Sequence, residues 1–257
     1  MTFQAYIDNI RAKTGKTPED FRDLARKAGV LTPAVTALPS PTARIDRIAG
    51  LAAACAVAAA SGFLALLIAL HVVRPDLEPR WHMVSEYAVG PMGWLMGAAF
   101  LLLATALWAA AVAVMPGARG WLAMAGVALL TVGGLGAAMG GLFPMDPVGT
   151  PAERMTRSGM LHGVSFMLGV PGTLLGMTLV TAHLWRRPDW RSGRGKLLAA
   201  VGLVWLTMIV FGVSMAAFMS QGASGPEFVI GWQNRALVAA WALWILAVGV
   251  HARSAAK

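Results

Sequence analysis

Ionisable residues that could do chemistry are concentrated in three alternate connections between long apolar stretches of this chain. The first reads HVVRPDLEPRWHMVSEYAVGPMGW, the second FPMDPVGTPAERMTRSGMLHG and the third SQGASGPEFVIGWQNR. Carboxylates and imidazoles are the usual groups of general acid and base catalysis and of divalent metal sites. Connections on the same side of a helix bundle can share one site, so we expect a polar pocket at one end of the molecule.

Four residues are candidate catalytic groups, namely Ser85, Glu86, Asp146 and His162. Ser85 together with His162 and Asp146 has the residue types of a hydrolytic triad, although no GxSxG motif surrounds the serine. A serine in this position also serves as a helix cap, with Glu86 well placed for the positive end of the helix dipole. The sequence leaves both interpretations open.

A divalent metal is the other chemistry that these residue types allow. The candidate ligands are His82, Glu86, Asp146 and His162. No HExxH or comparable motif is present, and loops separate the candidates, so their spacing is unspecific. We therefore predict no metal, and the sequence identifies no cofactor.

Arg235 gives the most specific expectation about an interaction partner, because its charge falls within the last apolar segment. An unpaired charge at that depth costs several kcal/mol, so we expect a carboxylate partner among Glu86, Asp146 and Glu227. The alternative is that the side chain extends to the lipid headgroups. The complete set of predicted ligand-binding residues is Arg235, Glu86, Asp146, His162, His82, Tyr87, Gln233 and Trp81.

Six apolar stretches must position these groups. Hydrophobic residues make up 57% of the chain and charged residues 13%, more apolar surface than a soluble core of this size can bury. Only helices satisfy the backbone in lipid at such lengths. We predict an all-α bundle of six transmembrane helices within residues 46–252, with Pro171 bending the fourth and Thr173 or a neighbour covering the released carbonyl. The spans are about 48–73, 88–115, 120–143, 159–185, 197–220 and 228–250.

The distribution of basic residues predicts the orientation. Sixteen of the 21 Lys and Arg lie in the terminal segments and in the second and fourth connections, whereas the acidic residues divide evenly. The positive-inside rule therefore predicts a bacterial inner-membrane protein with both termini cytoplasmic and the polar connections facing outward. The net charge of +9 lies along membrane edges and is suited to lipid headgroups rather than nucleic acid.

Residues 1–29 have the pattern of a short cytoplasmic helical hairpin. Thr17 is in position to cap the second helix and Pro18 to occupy its first turn. Residues 30–45 are rich in proline and read as a linker. The hairpin is a candidate docking segment for a cytoplasmic partner, while the sequence specifies no oligomeric state.

Two resemblances cover most of the chain. Residues 2–29, which contain the string FQAYIDNIRAKTGKTPEDFRDLARKAG, resemble the N-terminal part of the family called domain of unknown function 4287. Residues 46–250 resemble the membrane family called domain of unknown function 998, on the residues Ser85, Glu86, Tyr87, Gly90, Gly93, Trp94, Phe143, Pro144, Asp146, His162, Gln233 and Arg235. The second resemblance implies six helices and a prokaryotic inner membrane, and it implies no established activity.

The leading functional hypothesis is an outward-facing polar pocket that binds a small ligand or a lipid headgroup. One alternative is an intramembrane enzyme that hydrolyses or remodels a lipid in the same pocket. Another is a non-catalytic scaffold or sensor that acts through the N-terminal hairpin.

Overall fold

The computed structural model describes residues 3–29, 41–221 and 229–255, and these residues form helices and turns without any strand. The chain divides into two units, Met1–Arg44 and Ile45–Lys257. The first unit contains helices α1 (Phe3–Thr14) and α2 (Pro18–Lys27).

The predicted cap of α2 is present. Thr17 Oγ1 accepts a hydrogen bond from the Asp20 amide at 3.2 Å, and the Asp20 carboxylate accepts one from the Thr17 amide at 2.6 Å. These bonds hold the pKa of Asp20 below its ordinary value, because they stabilise the ionised carboxylate.

Six further helices carry the second unit: α3 (Pro41–Val73), α4 (Trp94–Val114), α5 (Trp121–Leu142), α6 (Arg157–Arg186), α7 (Arg194–Gln221) and α8 (Ile230–Ala255). Among the described residues, six helical stretches are long and apolar enough to cross a membrane. The predicted all-α fold of a multi-pass membrane protein is confirmed. The predicted start of the last span, residue 228, lies outside the described residues.

The predicted span 88–115 begins later than expected. Val84–Ala88 form a short 3-10 helix, and a turn separates it from α4. Within that turn Gly90 has a φ of +81° and Met92 a φ of +59°, values that an α-helix cannot contain. Helix α4 therefore starts at Trp94, and the polar residues before it are free to fold over the end of the bundle.

Glycines bring α5 and α6 into direct backbone contact. A Cβ added to Gly136 would overlap the Cα of Gly169, and one added to Gly172 would lie 2.8 Å from the amide nitrogen of Gly133. Small residues at such spacing let transmembrane helices approach closely. Pro171 lies inside α6 beside this seam.

Two described connections, residues 74–93 and 143–156, lie at one end of the bundle, since successive helices alternate in direction. The first of them, residues 74–93, is called the cap here, and this end of the bundle is called the capped end. The largest fully buried side chains of the second unit include Trp244, Tyr87, Phe63, Phe211, Leu70 and Met96. Tyr87 belongs to the cap, so the cap is part of the packed interior.

Candidate functional site

Arg74, at the end of α3, holds one side of the cap. Its Nε and Nη2 donate to the carboxylate of Asp76, and its Nη1 donates to the carbonyls of Val89 at 2.8 Å and Pro91 at 2.9 Å. Arg74 is 8% exposed. The hydrogen bonds from Arg74 hold the pKa of Asp76 below its ordinary value, because they favour the ionised carboxylate.

Arg235, in the first turns of α8, holds the other side of the cap. Its Nη1 donates to the carbonyls of Pro79 at 3.0 Å and His82 at 2.6 Å, and its Nη2 donates to the Tyr87 hydroxyl at 3.1 Å. Its Nε donates to His71 Nε2 at 2.7 Å. One guanidinium therefore joins α8 to α3 and to both halves of the cap.

The hydrogen bonds of His71 define its protonation. Nε2 accepts from Arg235, so it carries no proton, and Nδ1 lies 2.6 Å from the Leu67 carbonyl, to which it must donate. His71 is therefore the neutral tautomer protonated on Nδ1. Tyr87 completes the arrangement by donating its hydroxyl proton to the Leu77 carbonyl at 3.2 Å.

The expected carboxylate partner of Arg235 is not Glu86 or Asp146. Within the described part of the chain, the acceptors of its guanidinium are neutral carbonyl, hydroxyl and imidazole groups. Several well-aligned neutral acceptors replace the hydration of a buried guanidinium without an ion pair. Glu227, the third candidate, lies outside the described residues. Arg235 is 6% exposed, so the expectation that it extends to the headgroups is also wrong.

Glu86 instead organises the cap from within. Its Oε1 accepts from the Met83 amide at 2.7 Å, and its Oε2 accepts from His82 Nδ1 at 2.7 Å. Trp81 stacks on the His82 ring with 3.7 Å between ring centroids. His82 and Glu86, two of the candidate ligands, are thus paired at the start of the 3-10 helix that precedes α4.

Asp146 caps the beginning of α6. Its two carboxylate oxygens accept from the amide and the hydroxyl of Thr156, each at 2.8 Å, and Thr156 in turn caps the helix through the Gly159 amide. His162, one turn further on, donates from Nδ1 to the Phe143 carbonyl at 2.9 Å. Both residues therefore tie the connection between α5 and α6 to the helix that follows it.

The structure does not assemble the triad drawn from the sequence. Ser85, Asp146 and His162 share no hydrogen bond with one another, since Asp146 bonds Thr156 and His162 bonds Phe143. Within the described parts of the chain, no group of three or more His, Cys, Asp or Glu side chains comes together. Ser85 and His162 do face one common space, described next.

A cavity of about 520 Å³ lies beneath the cap, a size typical of small-molecule sites. The cap forms its roof through Met83, Val84 and Ser85. Its walls come from five helices, represented by Phe100, Gly136, Val170, Phe211 and Leu237. Apolar side chains and glycines predominate, so the polar pocket expected from the sequence is in fact an apolar chamber.

The polar groups of the cavity fall near its two ends. Ser85, His162 and Asn234 line the end under the cap, where Asn234 Oδ1 also accepts from the Val84 amide at 2.9 Å. Thr173 and Trp241 line the wall nearer the middle of α6 and α8. Thr173 does not supply the predicted cover at Pro171, because its Oγ1 is buried and has no hydrogen-bond partner among the described residues.

The cavity reaches the surface of the bundle beside α6. Phe166 and Met167 line it and are 37% and 65% exposed, respectively. Both lie in a segment long and apolar enough to span a membrane. This side of the cavity therefore faces hydrocarbon in a bilayer.

Sequence reasoning missed several residues of this arrangement. His71, Asn234 and Trp241 are single polar residues in apolar helices, which are usually packing residues, and Thr173 was expected only as a cover for the carbonyl released by Pro171. Asn234 and Trp241 are seven residues apart and thus share one face of α8, a signal that only becomes specific once the cavity is known. Of the predicted ligand-binding set, His162 lines the cavity, whereas Arg235, Glu86, His82 and Tyr87 bond within or to the cap.

Comparison with known proteins supports the assignment of the family and leaves the activity open. Residues 2–39 match the family described as Domain of unknown function (DUF4287), which extends the resemblance noted for residues 2–29. No curated protein and no solved structure shows a significant match. The family described as Protein of unknown function (DUF998) matches residues 56–251, which is most of the chain. The chain therefore belongs to the DUF998 family.

Proposed function

We propose that this protein binds a lipid-like amphiphile in the cavity beneath the cap. The observation that carries the proposal is a cavity of about 520 Å³ with apolar walls, polar groups at the capped end and a side that opens toward lipid. An apolar chamber favours an apolar ligand because each buried CH₂ contributes about 0.8 kcal/mol. The polar end then orients the ligand.

Ser85 and His162 are the groups that we assign to the polar end of the ligand. Both line the cavity under the cap, and a hydroxyl beside an imidazole can bond a phosphate, carboxylate or hydroxyl headgroup. Arg235, by contrast, acts as a positioning residue, since neutral protein groups already occupy its donors. Glu86 and His82 support the roof in the same way.

The proposed setting is the bacterial inner membrane, with the capped end toward the periplasm. The excess of Lys and Arg on the opposite side supports this orientation through the positive-inside rule. The cavity extends from the capped end to about the middle of α6 and α8. The ligand would accordingly be drawn from the outer leaflet.

A lipid-hydrolysing enzyme remains the alternative that one observation favours, because Ser85 and His162 line the same cavity. Binding without hydrolysis is better supported, since no base among the described residues is hydrogen-bonded to Ser85, and Asp146 bonds the N-cap residue of α6 instead of orienting His162. The scaffold alternative, which acts through residues 1–29, has no comparable structural support. Turnover of a bound lipid that is lost in Ser85→Ala would favour the enzyme.

The test uses the full-length protein purified in a mild detergent and native mass spectrometry of its bound lipids. Gly163→Phe fills the cavity, because Gly163 lines it and a Cβ added there meets no atom within 4 Å. Gly202→Phe is the matched control, since Gly202 also has open space around it but lies on α7 away from the cavity. We expect a bound lipid in the wild type and the control and its loss in Gly163→Phe.

Equal lipid occupancy in all three proteins would refute the proposal. Gly140→Leu is a second blocking variant, should Gly163→Phe lower the yield of folded protein. A Cβ on Gly140 makes only ordinary contacts, with Ser165 Oγ at 3.4 Å and His162 at 3.9 Å. Size-exclusion elution and Tm establish folding for each variant before its lipids are compared.

A further inference from the structure

Two buried polar groups on the wall of the cavity have no hydrogen-bond partner among the residues that the structure describes. Thr173 Oγ1 and Trp241 Nε1 make no hydrogen bond, and the residues are 1% and 7% exposed. Both residues line the cavity. A buried donor without an acceptor loses its hydration and gains nothing in exchange, so such groups in native proteins call for a specific explanation.

In three other tryptophans of the bundle, the indole N–H donates to an oxygen of the protein. Trp244 donates to Thr181 Oγ1 at 2.8 Å, Trp205 donates to Thr178 Oγ1 at 3.0 Å, and Trp108 donates to the Thr131 carbonyl at 3.1 Å. Trp244 lies only three residues beyond Trp241 on α8. The unpaired N–H of Trp241 is therefore a local feature of the cavity wall.

The spacing of polar residues along the helices gives the cavity two polar ends. His162 and Thr173 are eleven residues apart and share one face of α6, about 16 Å along the axis. Asn234 and Trp241 are seven residues apart on one face of α8, about 10 Å along the axis. Ser165, one turn beyond His162, also lines the cavity near its capped end, and the wall from there to Thr173 and Trp241 is apolar, with Val170 on α6 and Leu237 on α8.

We propose that the amphiphile carries an oxygen acceptor, a carbonyl or a hydroxyl, within its apolar body, about 10 to 16 Å from its polar end. This oxygen accepts hydrogen bonds from Trp241 Nε1 and Thr173 Oγ1. The indole N–H can only donate, so the ligand atom that it contacts must be an acceptor. The inference rests on the proposed function and narrows its ligand to an oxygenated lipid.

A bound water is the competing occupant of this polar end. A buried water ordinarily needs two to four polar partners, and the two unpaired groups on this wall meet only the lower limit. If a water occupied this site, the protein would bind lipids with and without an oxygen in the chain with equal affinity. A difference in affinity between two lipids that differ only in this oxygen would therefore distinguish a bound lipid oxygen from a bound water.

The experiment measures the affinity of the full-length protein for octadecanoate and for its mid-chain keto analogue by native mass spectrometry titration. We expect the wild type to bind the keto analogue on the order of tenfold more tightly, because a hydrogen bond to a buried, otherwise unpaired donor contributes about that much to affinity. Trp241→Phe and Thr173→Val remove the two unpaired groups with little change in shape. Each should reduce this preference, and Trp241→Phe should abolish most of it.

Trp244→Phe is the matched control, because it removes an indole N–H of the same helix that is already paired to Thr181. It should keep the tenfold preference even if its Tm falls. Equal wild-type affinity for the two fatty acids, or an unchanged preference in both Trp241→Phe and Thr173→Val, would overturn the inference while the binding proposal stands. Binding of neither fatty acid, or unaltered binding in Gly163→Phe, would instead remove the proposed function and this inference with it.

Discussion

Replacement of Arg235 by methionine tests whether this arginine holds the cap or contacts the ligand. The substitution keeps a long apolar stem and deletes the guanidinium. It leaves His71 Nε2 and the carbonyls of Pro79 and His82 without their donor in a site where Arg235 is 6% exposed. The hydroxyl of Tyr87 loses a donor as well.

The expected loss of stability follows from these orphaned acceptors. Each buried partner left unpaired costs about 1 to 3 kcal/mol, and removal of a desolvated charge offsets part of the sum. A net loss of about 3 kcal/mol is a large share of the 5 to 15 kcal/mol typical of a folded protein. For a chain of this size it corresponds to a fall in Tm of roughly 6 to 12 °C.

The assay is thermal unfolding of the purified protein in detergent, followed by intrinsic fluorescence. Arg80→Met is the matched control, since Arg80 belongs to the cap but is exposed. Arg235→Lys separates charge from geometry, because an ammonium group is too compact to bond His71 and Tyr87 together. The control should keep the wild-type Tm, and the lysine variant should lose most of the stability that methionine loses.

Two results would refute this reasoning about Arg235. One is a Tm for Arg235→Met that equals that of Arg80→Met. The other is a lysine variant with full stability, since a charge alone would then suffice. Loss of the bound lipid at unchanged Tm would return Arg235 to the ligand-binding role expected from the sequence.

Two further predictions concern the carboxylates at the capped end. Asp146→Ala removes the two carboxylate oxygens that accept hydrogen bonds from Thr156, the N-cap residue of α6, and should lower the free energy of unfolding by about 1 kcal/mol. Lipid binding should persist, so Tm should fall slightly while native mass spectrometry still detects the lipid. Lost binding at unchanged Tm would contradict this prediction. Asp76→Asn should lower Tm slightly at neutral pH. Arg74 depresses the pKa of Asp76 in the folded state, so this carboxylate contributes stability above its unfolded pKa of about 3.9 and loses it as pH falls through the folded value. The Tm difference between wild type and Asp76→Asn should therefore shrink below about pH 4, and a difference that persists there would argue against the ion pair.

The sequence predicted the six candidate spans in number because lipid imposes a length and a composition that few other structures share. It was a poorer guide where the chain leaves the membrane. Residues 88–93 are apolar enough to extend a span, yet the positive φ values of Gly90 and Met92 end the helix before Trp94. Hydropathy registers apolarity and contains no information on backbone conformation at such a turn.

The candidate site was predicted less well, for a different physical reason. A buried guanidinium requires compensation, and the sequence offers carboxylates as the obvious source. Backbone carbonyls are equally good acceptors, but every residue has one, so no pattern of residue types reveals that Pro79 and His82 present theirs to Arg235. The cavity escaped prediction likewise, because glycines such as Gly136 and Gly140 are read as packing residues unless the space beside them is seen.

The cap and the cavity together determine how a ligand can arrive. Arg74 and Arg235 bind the cap on opposite sides, and Asn234 fixes its centre through the Val84 amide. Opening the roof would break these bonds together, whereas the side beside α6 already exposes Met167 at the cavity wall. Under the proposed function, access from the bilayer thus requires the smaller rearrangement, and the polar residues at the capped end would stabilise a site whose proposed ligand comes from the membrane.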